Sequence, residues 1–522
     1  MNFNKFLEKS KKILVLAIMA IFMLMFIWFQ YETLCKRSFS SFDSVGVARK
    51  FLVIAIFAVI AVFLSYFWID KNRKNIDKIY LVSVLVLSIA YMFIFLPHVV
   101  PDEPHHYFQA FGLSNYFTFN FEQAKTDYAV IRQSDADWYN SIFSAQQNAD
   151  YFYNIKESFS FFSKNNDLTV FEAYTVTGNS NAPFGYIFSA LGIALARLFR
   201  FSPIITFYFG RIFNIVAYAL MTWWAIKRIP YGKMAIFVIS TLPMSLHLIA
   251  SYSYDSQIIA FVMMFVAQVL YMREKDGFVT IKDIVICTAF AMLVAPSKLV
   301  YLPVILLVFI IPKEKFNFSS KKVFLIKTGI VFVSFIFLLL LQIKGFESSA
   351  TSTELWWANE PTRSLSWVLK NPIETLKIYV RTLFVRGEFY FNTLVGSHLG
   401  WFQISIPTYA YIPFYFFIIY AFMARDNEIC HINFANKLWI FILSILSVVL
   451  IFSSLFLAWT PISYDTIEGV QGRYFIPLLI VAFLIIRNKF VTVNHNADKY
   501  AVFAVIYWNL FVGIQYFVTS FV

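Results

Sequence analysis

Long apolar runs recur along the whole chain and are separated by short polar segments. Runs such as "ILVLAIMAIFMLMFIWF" and "VFLIKTGIVFVSFIFLLLLQI" approach the roughly 20 residues that a helix needs to cross the hydrocarbon core of a bilayer. The pattern predicts an all-α polytopic membrane protein with about 13 transmembrane helices. The predicted segments are 13–29, 51–69, 79–97, 203–226, 233–250, 256–272, 281–295, 299–312, 323–343, 407–424, 437–458, 474–488 and 500–520.

One apolar block does not fit this series of crossings. Residues 182–199, "APFGYIFSALGIALARLF", are short and open with a proline and a glycine. If the block crossed the membrane, the charged loops that follow it would lie on the wrong sides. The block is therefore expected to be a re-entrant or interfacial helix that packs against protein.

Composition and charge support an integral membrane protein. The 522 residues are 59% hydrophobic and 14% charged, whereas a soluble domain carries about 25% charged residues. The net charge is +13, but the basic residues lie in short loops such as "KNRKNIDK", which the positive-inside rule places in the cytoplasm together with the N-terminus. Nucleic acid is therefore not expected as a partner, and the widely spaced Cys35, Cys287 and Cys430 predict neither a disulfide framework nor a metal site.

Two polar segments are predicted to lie outside the cell. The first covers about 98–182 and the second about 344–406, whose tryptophans and tyrosines suit helices at the bilayer surface. From this pattern we expect one membrane domain with two external elaborations.

The most distinctive stretch is "VPDEPHH", directly after the third apolar run. Asp102 and Glu103 lie between Pro101 and Pro104, and both prolines disfavour continuation of the helix. Carboxylates held at the membrane edge can act as a general base or bind a divalent cation. The alternative is a loop that ends the helix and whose charges simply face water.

Further candidates lie at the same predicted outer level. Asp255 in "SYSYDSQI" either lines a site or caps the next helix, and Lys298 in "APSKLVYLP" is either functional or extends to the interface. Gln471, Arg473 and Tyr474 in "GVQGRYF" begin an outer helix. Arginine there suits phosphate recognition, with a lipid headgroup contact as the alternative. Together these residues suit a lipid-linked anionic substrate and predict a transferase site.

The motif "PDEPHHYFQAF" resembles the Pro-Asp-Glu-Pro-x-His signature of an uncharacterised family of bacterial polytopic membrane proteins allied to the GT-C glycosyltransferases. Further matching stretches follow in family order from about residue 79 onward: "NAPFGYIFSAL", "GRIFNIVAYAL", "SYSYDSQI", "SKLVYLPVILL", "GSHLGWFQISIP" and "GVQGRYFIPLL". The resemblance implies a GT-C-like bundle that uses a polyprenyl-phosphate sugar and inverts the anomeric centre. It also implies that residues 1–78 are an N-terminal two-helix addition to a main membrane domain, 79–522.

The resemblance also implies roles for individual residues. Asp102 would be the general base or a metal contact, Glu103 its partner, and His106 the histidine of the signature, whereas His105 occupies the variable position. The substrate-binding residues would be His106, Asp255, Lys298, Trp401, Gln471, Arg473 and Tyr474. A divalent cation, Mg or Mn, would use Asp102, Glu103 and His106. One departure from the GT-C pattern is that the chain has no large soluble external domain for acceptor recognition.

The leading hypothesis is a glycosyltransferase on the outer face of a bacterial plasma membrane, with a cell-envelope glycan or glycolipid as acceptor. A transporter or flippase of a lipid-linked saccharide is the main alternative, because the apolar runs near 281–312 suggest broken helices. The absence of a visible internal repeat and the position of the acids at the membrane rim favour the transferase. A polysaccharide polymerase or ligase and a non-catalytic assembly protein are further alternatives.

Overall fold

A computed structural model describes residues 3–37, 44–72, 75–144, 147–175, 183–349, 354–355, 357–426, 428, 432–488 and 490–521. These residues are mostly helical. The α-helices in chain order are α1 (Phe3–Arg37), α2 (Ser44–Asn72), α3 (Ile76–Ile94), α4 (Glu103–Phe117), α5 (Gln133–Ile142), α6 (Ala149–Glu157), α7 (Ile187–Leu198), α8 (Pro203–Arg228), α9 (Lys233–Ser240), α10 (Pro243–Ile249), α11 (Asp255–Glu274), α12 (Ile281–Ser297), α13 (Leu302–Ile305), α14 (Ser320–Ser349), α15 (Leu365–Lys370), α16 (Pro372–Val395), α17 (Thr408–Phe422), α18 (Phe434–Ala458), α19 (Ile476–Ile486) and α20 (Asp498–Thr519).

Short strands form four two-stranded pairs in the described residues. The strands are β1 (Tyr128–Arg132), β2 (Leu168–Thr175), β3 (Glu354–Leu355), β4 (Glu360–Pro361), β5 (His398–Leu399), β6 (Ile404–Ser405), β7 (Ala424–Arg425) and β8 (Thr492–Val493). Consecutive strands pair, antiparallel in the first three pairs and parallel in β7 and β8. Single 3-10 turns lie at Gln123–Lys125, Pro183–Gly185, Leu299–Tyr301, Leu306–Ile310, Lys313–Lys315, Gly472–Phe475 and His495–Ala497.

Within the described residues, 8 helices are long and apolar enough to cross a membrane, so the chain is a multi-pass membrane protein. The predicted count of 13 is not confirmed. The segment predicted at 233–250 consists of α9 and α10, which Pro243 separates. The segment predicted at 281–295 lies within α12, which contains Pro296, whereas the one predicted at 299–312 contains Pro303 and is divided into α13 and single 3-10 turns. Proline lacks the amide proton and clashes with the preceding turn, so these apolar runs form several short helices.

Helix α11 forms the centre of the bundle. Apolar side chains lie on all sides of this helix. In its most apolar stretch 94% of the residues are buried, as expected of a helix surrounded by other helices. It packs against α8, α12 and α19. By contrast, about a third of the residues in the corresponding stretches of α14 and α18 are buried, so the exposed apolar faces of these helices are placed to contact lipid.

The block 182–199 forms α7, which has 12 residues. At 1.5 Å per residue it is about 18 Å long, too short to cross a hydrocarbon core of roughly 30 Å. It packs against α4 and α8. This arrangement agrees with the expectation of a helix that does not span the membrane.

The two predicted external segments are folded. The first contains α4, α5, α6 and the antiparallel pair of β1 and β2, in which Ala129 pairs with Phe171 and Arg132 with Leu168; its last residues, 176–182, lie outside the described residues. In the second, α16 exposes large apolar side chains such as Ile373, Leu376 and Phe384. These exposed side chains fit a helix at the bilayer surface.

The two N-terminal helices pack on the last helix of the bundle. Gln30 Nε2 donates to Gln515 Oε1 at 2.7 Å, and the Tyr507 hydroxyl donates to the Met19 carbonyl at 3.1 Å. The domain boundary at residue 78 stays a prediction. Among the cysteines, Cys287 is buried with a free thiol, whereas the side chain of Cys35 and the whole of Cys430 lie outside the described residues.

Candidate functional site

The turn between α3 and α4 presents Asp102 to solvent. Asp102 precedes α4 in a left-handed conformation with φ 62°, a region that Asp tolerates better than most residues. Its side chain is 53% exposed, and its Oδ2 accepts a hydrogen bond from Arg473 Nη2 at 3.2 Å. The carboxylate is therefore half-exposed and in contact with one buried arginine.

Asp102 is the first member of a row of four charges. Arg473 Nε lies 3.6 Å from Asp255 Oδ2, and Asp255 Oδ1 accepts a hydrogen bond from Lys298 Nζ at 2.6 Å. The four-charge row thus runs Asp102, Arg473, Asp255, Lys298. It joins the turn before α4, the 3-10 turn before α19, the first residue of α11 and the residue after α12, so residues far apart in the sequence meet at one end of the bundle.

Asp255 and Lys298 contact each other and the residues around them. Asp255 is the first residue of α11, and its two carboxylate oxygens face Lys298 and Arg473. Lys298 extends to Asp255 and lies 4.8 Å and 4.5 Å from the ring centroids of Tyr254 and Tyr474. It is therefore held by a carboxylate and two aromatic faces, where the break after α12 places it.

His106 lies beside this row as a buried, neutral side chain. Its Nδ1 is 2.9 Å from the Tyr186 hydroxyl, and its ring packs edge-on against Tyr254 at 5.1 Å. Burial lowers the pKa of His106 to about 3, although the nearby Asp102 and Asp255 carboxylates act in the opposite direction. At neutral pH the imidazole is therefore uncharged and can exchange a hydrogen bond without adding positive charge.

Glu103 points away from Asp102 and into the protein. Its carboxylate is fully buried and binds Arg211 in a bidentate manner, with Nε–Oε1 at 2.9 Å and Nη2–Oε2 at 2.6 Å. The backbone N–H groups of His98 and Tyr252 donate to the same carboxylate at 2.9 Å and 3.2 Å. Arg211 also donates to the Phe95 carbonyl at 2.7 Å. The pair therefore anchors the chain that carries Asp102.

The expected partnership of Glu103 with Asp102 is thus not formed. The two neighbouring side chains diverge because Asp102 stands at a left-handed turn while Glu103 begins α4. The expected metal ligands Asp102, Glu103 and His106 do not converge either, and in the part of the chain that the structure describes no group of three His, Cys, Asp or Glu side chains is placed to hold a metal ion.

Trp401 and Gln471 lie in the loops around the site. Trp401 lies between β5 and β6 with 41% of its surface exposed, and its Nε1 donates to the His98 carbonyl at 3.5 Å. Gln471 precedes the 3-10 turn that carries Arg473, and its backbone carbonyl accepts from the Tyr474 N–H at 3.1 Å. The Trp401 indole is thus placed close to the turn that carries Asp102.

Several residues of this region were not among the sequence candidates. Arg211 had a clear signal, because an arginine within an apolar helix is costly and requires partners. Tyr186 and Tyr254 had no comparable signal, because tyrosine is common throughout this chain. Only the three-dimensional contacts show that these two rings surround His106.

Gly472 sets the position of Arg473 by allowing a close backbone contact. A Cβ atom at this residue would lie 2.2 Å from the Leu394 nitrogen and 2.4 Å from the Tyr390 carbonyl oxygen, both in the backbone of α16. The Gly472 N–H also donates to Thr393 Oγ1 at 3.1 Å. Any larger residue must therefore push α16 away from the turn that carries Arg473.

We expect Gly472→Ala to destabilise the protein by roughly 1–3 kcal/mol, the usual cost of overpacking a tight contact. The free energy of unfolding in detergent measures this change. The matched control is Gly387→Ala, because a Cβ at Gly387 in the same helix α16 meets no atom within 4 Å. Equal stability of the two variants would contradict the role assigned to Gly472.

Comparison with known proteins identifies one family. Residues 85–482, well over half of the chain, match the model of a family described as "Predicted membrane protein (DUF2142)". The matched region includes all four members of the four-charge row. No curated protein and no solved structure matches the chain.

Proposed function

The chain belongs to the DUF2142 family of predicted membrane proteins, and we propose that it is a membrane glycosyltransferase. The substrate would be a polyprenyl-phosphate-linked sugar, and the acceptor a cell-envelope glycan or glycolipid. In this proposal the bundle is GT-C-like, with the shorter apolar helices bringing the crossings to about 13. The membrane is a bacterial plasma membrane, with the N-terminus in the cytoplasm and the four-charge row facing outward.

The observation that carries the proposal is the four-charge row at one end of the bundle. Lys298 and Arg473 are the cations that a phosphate would contact, in competition with the carboxylates that now pair with them, and Asp102 is a half-exposed carboxylate beside them. A lipid-linked phosphate reaches such a position from the bilayer, while an acceptor hydroxyl reaches it from water. One site therefore provides phosphate recognition and a candidate base.

The proposed reaction is a single displacement. The acceptor oxygen attacks the anomeric carbon while Asp102 takes the proton from the acceptor hydroxyl. The bond between the anomeric carbon and the phosphate oxygen breaks, the electron pair stays on the phosphate, and polyprenyl phosphate leaves beside Arg473 and Lys298. One bond forms and one breaks on opposite faces of the carbon, so the anomeric centre is inverted and no covalent glycosyl-enzyme is formed.

The neighbouring residues position these groups. Glu103 acts through Arg211 to fix the turn of Asp102 and is therefore a positioning residue in this proposal. Neutral His106, with Tyr186, offers a hydrogen bond to the sugar, and Trp401, Gln471 and Tyr474 line the approach. If a divalent cation such as Mg or Mn takes part, Asp102 is the carboxylate in this row that is exposed enough to contact it, and the cation would supply charge stabilisation for the phosphate.

We expect Arg473→Lys and Lys298→Gln to raise the KM for the lipid-linked donor roughly 10- to 100-fold, because each removes charge-assisted hydrogen bonds to phosphate worth about 1.5–3 kcal/mol. Arg473→Lys keeps the charge but loses the planar fork. Steady-state transfer at varied donor concentration measures the effect. Lys377→Gln, which removes an exposed lysine of α16 outside the row, is the control; an unchanged donor KM in both site variants would refute phosphate binding there.

A transporter or flippase of the same lipid-linked saccharide is the second candidate. The observation that favours it is the series of broken helices, α9 with α10 and α12 with α13, because discontinuous helices line many transport pathways. Movement of a fluorescent lipid-linked sugar between leaflets of proteoliposomes, in the absence of any acceptor, separates this function from transfer.

A further inference from the structure

A cavity of about 710 Å³ lies at the end of the bundle opposite the four-charge row. The first turns of α3, α9 and α20 line it, together with the end of α2. Helix α3 has 19 residues and runs from this cavity toward the turn of Asp102, a length of about 28 Å. The cavity is therefore separated from the candidate site by the length of a membrane helix.

The charged side chains of the cavity wall carry a small net positive charge, because Lys233, Arg425 and Lys499 outnumber Glu428 and Asp498. Asp498 lies on the wall, but Arg425 Nε donates to its Oδ1 at 3.1 Å. Glu428 also lies on the wall, and Arg487 Nη2 donates to its Oε2 at 2.9 Å. Both carboxylates are thus neutralised by arginines. Arg425 Nη2 lies 2.9 Å from Asp498 Oδ1 but has no hydrogen-bond acceptor of good geometry in the described chain.

Two lysines complete the wall. Lys233 Nζ donates to Asp77 Oδ1 at 2.9 Å, and the lysine is about one third exposed. Lys499 lies over the ring of Tyr500 at 4.7 Å, and no carboxylate of the described residues lies within ion-pair distance of it. Lys499 therefore brings a positive charge to the cavity that the described part of the protein does not neutralise.

Three helices, α3, α9 and α20, begin at the cavity, and a carboxylate already lies at each of their N-termini. Asp77 and Asp498 lie in the first turns of α3 and α20, and the N–H of Gly232, which precedes α9, donates to Glu428 Oε1 at 3.2 Å. Since these carboxylates already occupy the positive ends of the helix dipoles, the lysines of the wall carry the argument for an anion.

The remaining wall is apolar. Ile69, Ile76, Ile79, Met234 and Val502 line the cavity beside the charged side chains. A small inorganic ion would leave this apolar surface without a partner. A ligand with a phosphate at one end and hydrocarbon at the other would use both parts of the wall.

We propose that this cavity binds the phosphate-bearing headgroup of an anionic amphiphile. Basic pockets between helices at the predicted cytoplasmic side of a membrane protein are suited to anionic lipid headgroups. The same phosphate chemistry could come from a soluble phosphate ester. The inference concerns a site separate from the four-charge row and does not depend on the reaction proposed there.

Thermal unfolding of the purified full chain in detergent tests this proposal with three added probes. They are dioctanoyl phosphatidylglycerol, which carries a phosphate and hydrocarbon, dioctanoyl phosphatidylcholine, which has no net charge, and glycerol 3-phosphate, which has no hydrocarbon. We expect the melting temperature to rise with phosphatidylglycerol in a saturable manner and to change less with phosphatidylcholine. A rise with glycerol 3-phosphate at equal or lower concentration would support the site and assign it to a soluble ligand.

Variants connect the effect to the cavity. Lys499→Gln and Lys233→Gln should each raise the apparent Kd for phosphatidylglycerol about fivefold, the usual contribution of one basic side chain near a membrane. Lys282→Gln, which removes an exposed lysine at the start of α12 outside the cavity, should leave it unchanged. Equal stabilisation by the two lipids, or equal weakening in all three variants, would overturn the proposal.

Discussion

Asp102→Asn should lower the rate of sugar transfer by about 10²- to 10⁴-fold, the range expected when a general base is removed. The amide keeps the size and the position of the side chain at the left-handed turn, so the fold is preserved. It cannot take the proton of the acceptor hydroxyl. Donor binding should change little, because the substitution leaves Lys298 and Arg473, the proposed phosphate contacts, in place. Transfer of labelled sugar and donor binding, measured on the same preparation, separate the two effects.

The chain offers a matched control for this variant. Asp465 is an exposed carboxylate that also pairs with an arginine, Arg381, near the same end of the bundle. Asp465→Asn therefore removes a comparable surface ion pair without touching the four-charge row. If both variants lost transfer equally, the loss would reflect surface charge. Full transfer by Asp102→Asn would eliminate this residue as the base.

Arg211→Met should destabilise the protein by about 3–5 kcal/mol, because it leaves the buried Glu103 carboxylate without its partner. The carbonyl of Phe95 would also lose its donor. The free energy of unfolding in detergent measures this loss. The double variant Arg211→Met with Glu103→Leu should recover much of the stability, since replacing a whole buried pair by apolar groups is often neutral.

An exposed arginine at the same end of the bundle, Arg386, serves as the control for Arg211→Met. Arg386 pairs with Glu468 at 2.7 Å with nearly half of its side chain exposed, and such pairs contribute about 0–1 kcal/mol. Arg386→Met should therefore have little effect on the free energy of unfolding. If Arg211→Met were equally mild, the buried pair would not be the anchor of the Asp102 turn.

The sequence predicted the parts of this protein that depend on local pattern. Apolar runs without internal proline form long helices, as in α14 and α18, which contain the predicted segments 323–343 and 437–458. The sequence also predicted that Asp102, Asp255, Lys298 and Arg473 lie at one level of the membrane, because each belongs to a motif at the predicted outer end of a segment. The contacts between them follow from bringing those ends together.

The parts that pattern alone could not predict depend on backbone direction and on distant partners. Glu103 and Asp102 are neighbours in sequence, but a left-handed turn sends their side chains to opposite environments. The partner of Glu103 is Arg211, more than a hundred residues away. Similarly, the run at 233–250 is mostly apolar, so its hydropathy predicts one helix. It does not reveal that one helix ends at Ser240 and another begins at Pro243. The pairing of β1 with β2 joins residues about forty positions apart, so a local pattern does not predict it.

The central claim is that the four-charge row is a transfer site, and reconstituted wild-type protein tests it most directly. Proteoliposomes would receive radiolabelled polyprenyl-phosphate hexose and crude cell-envelope acceptor. We expect label on the acceptor, with release of polyprenyl phosphate and loss of both products in Asp102→Asn. Labelled lipid that moves between leaflets while no label reaches any acceptor would contradict sugar transfer and establish transport in its place.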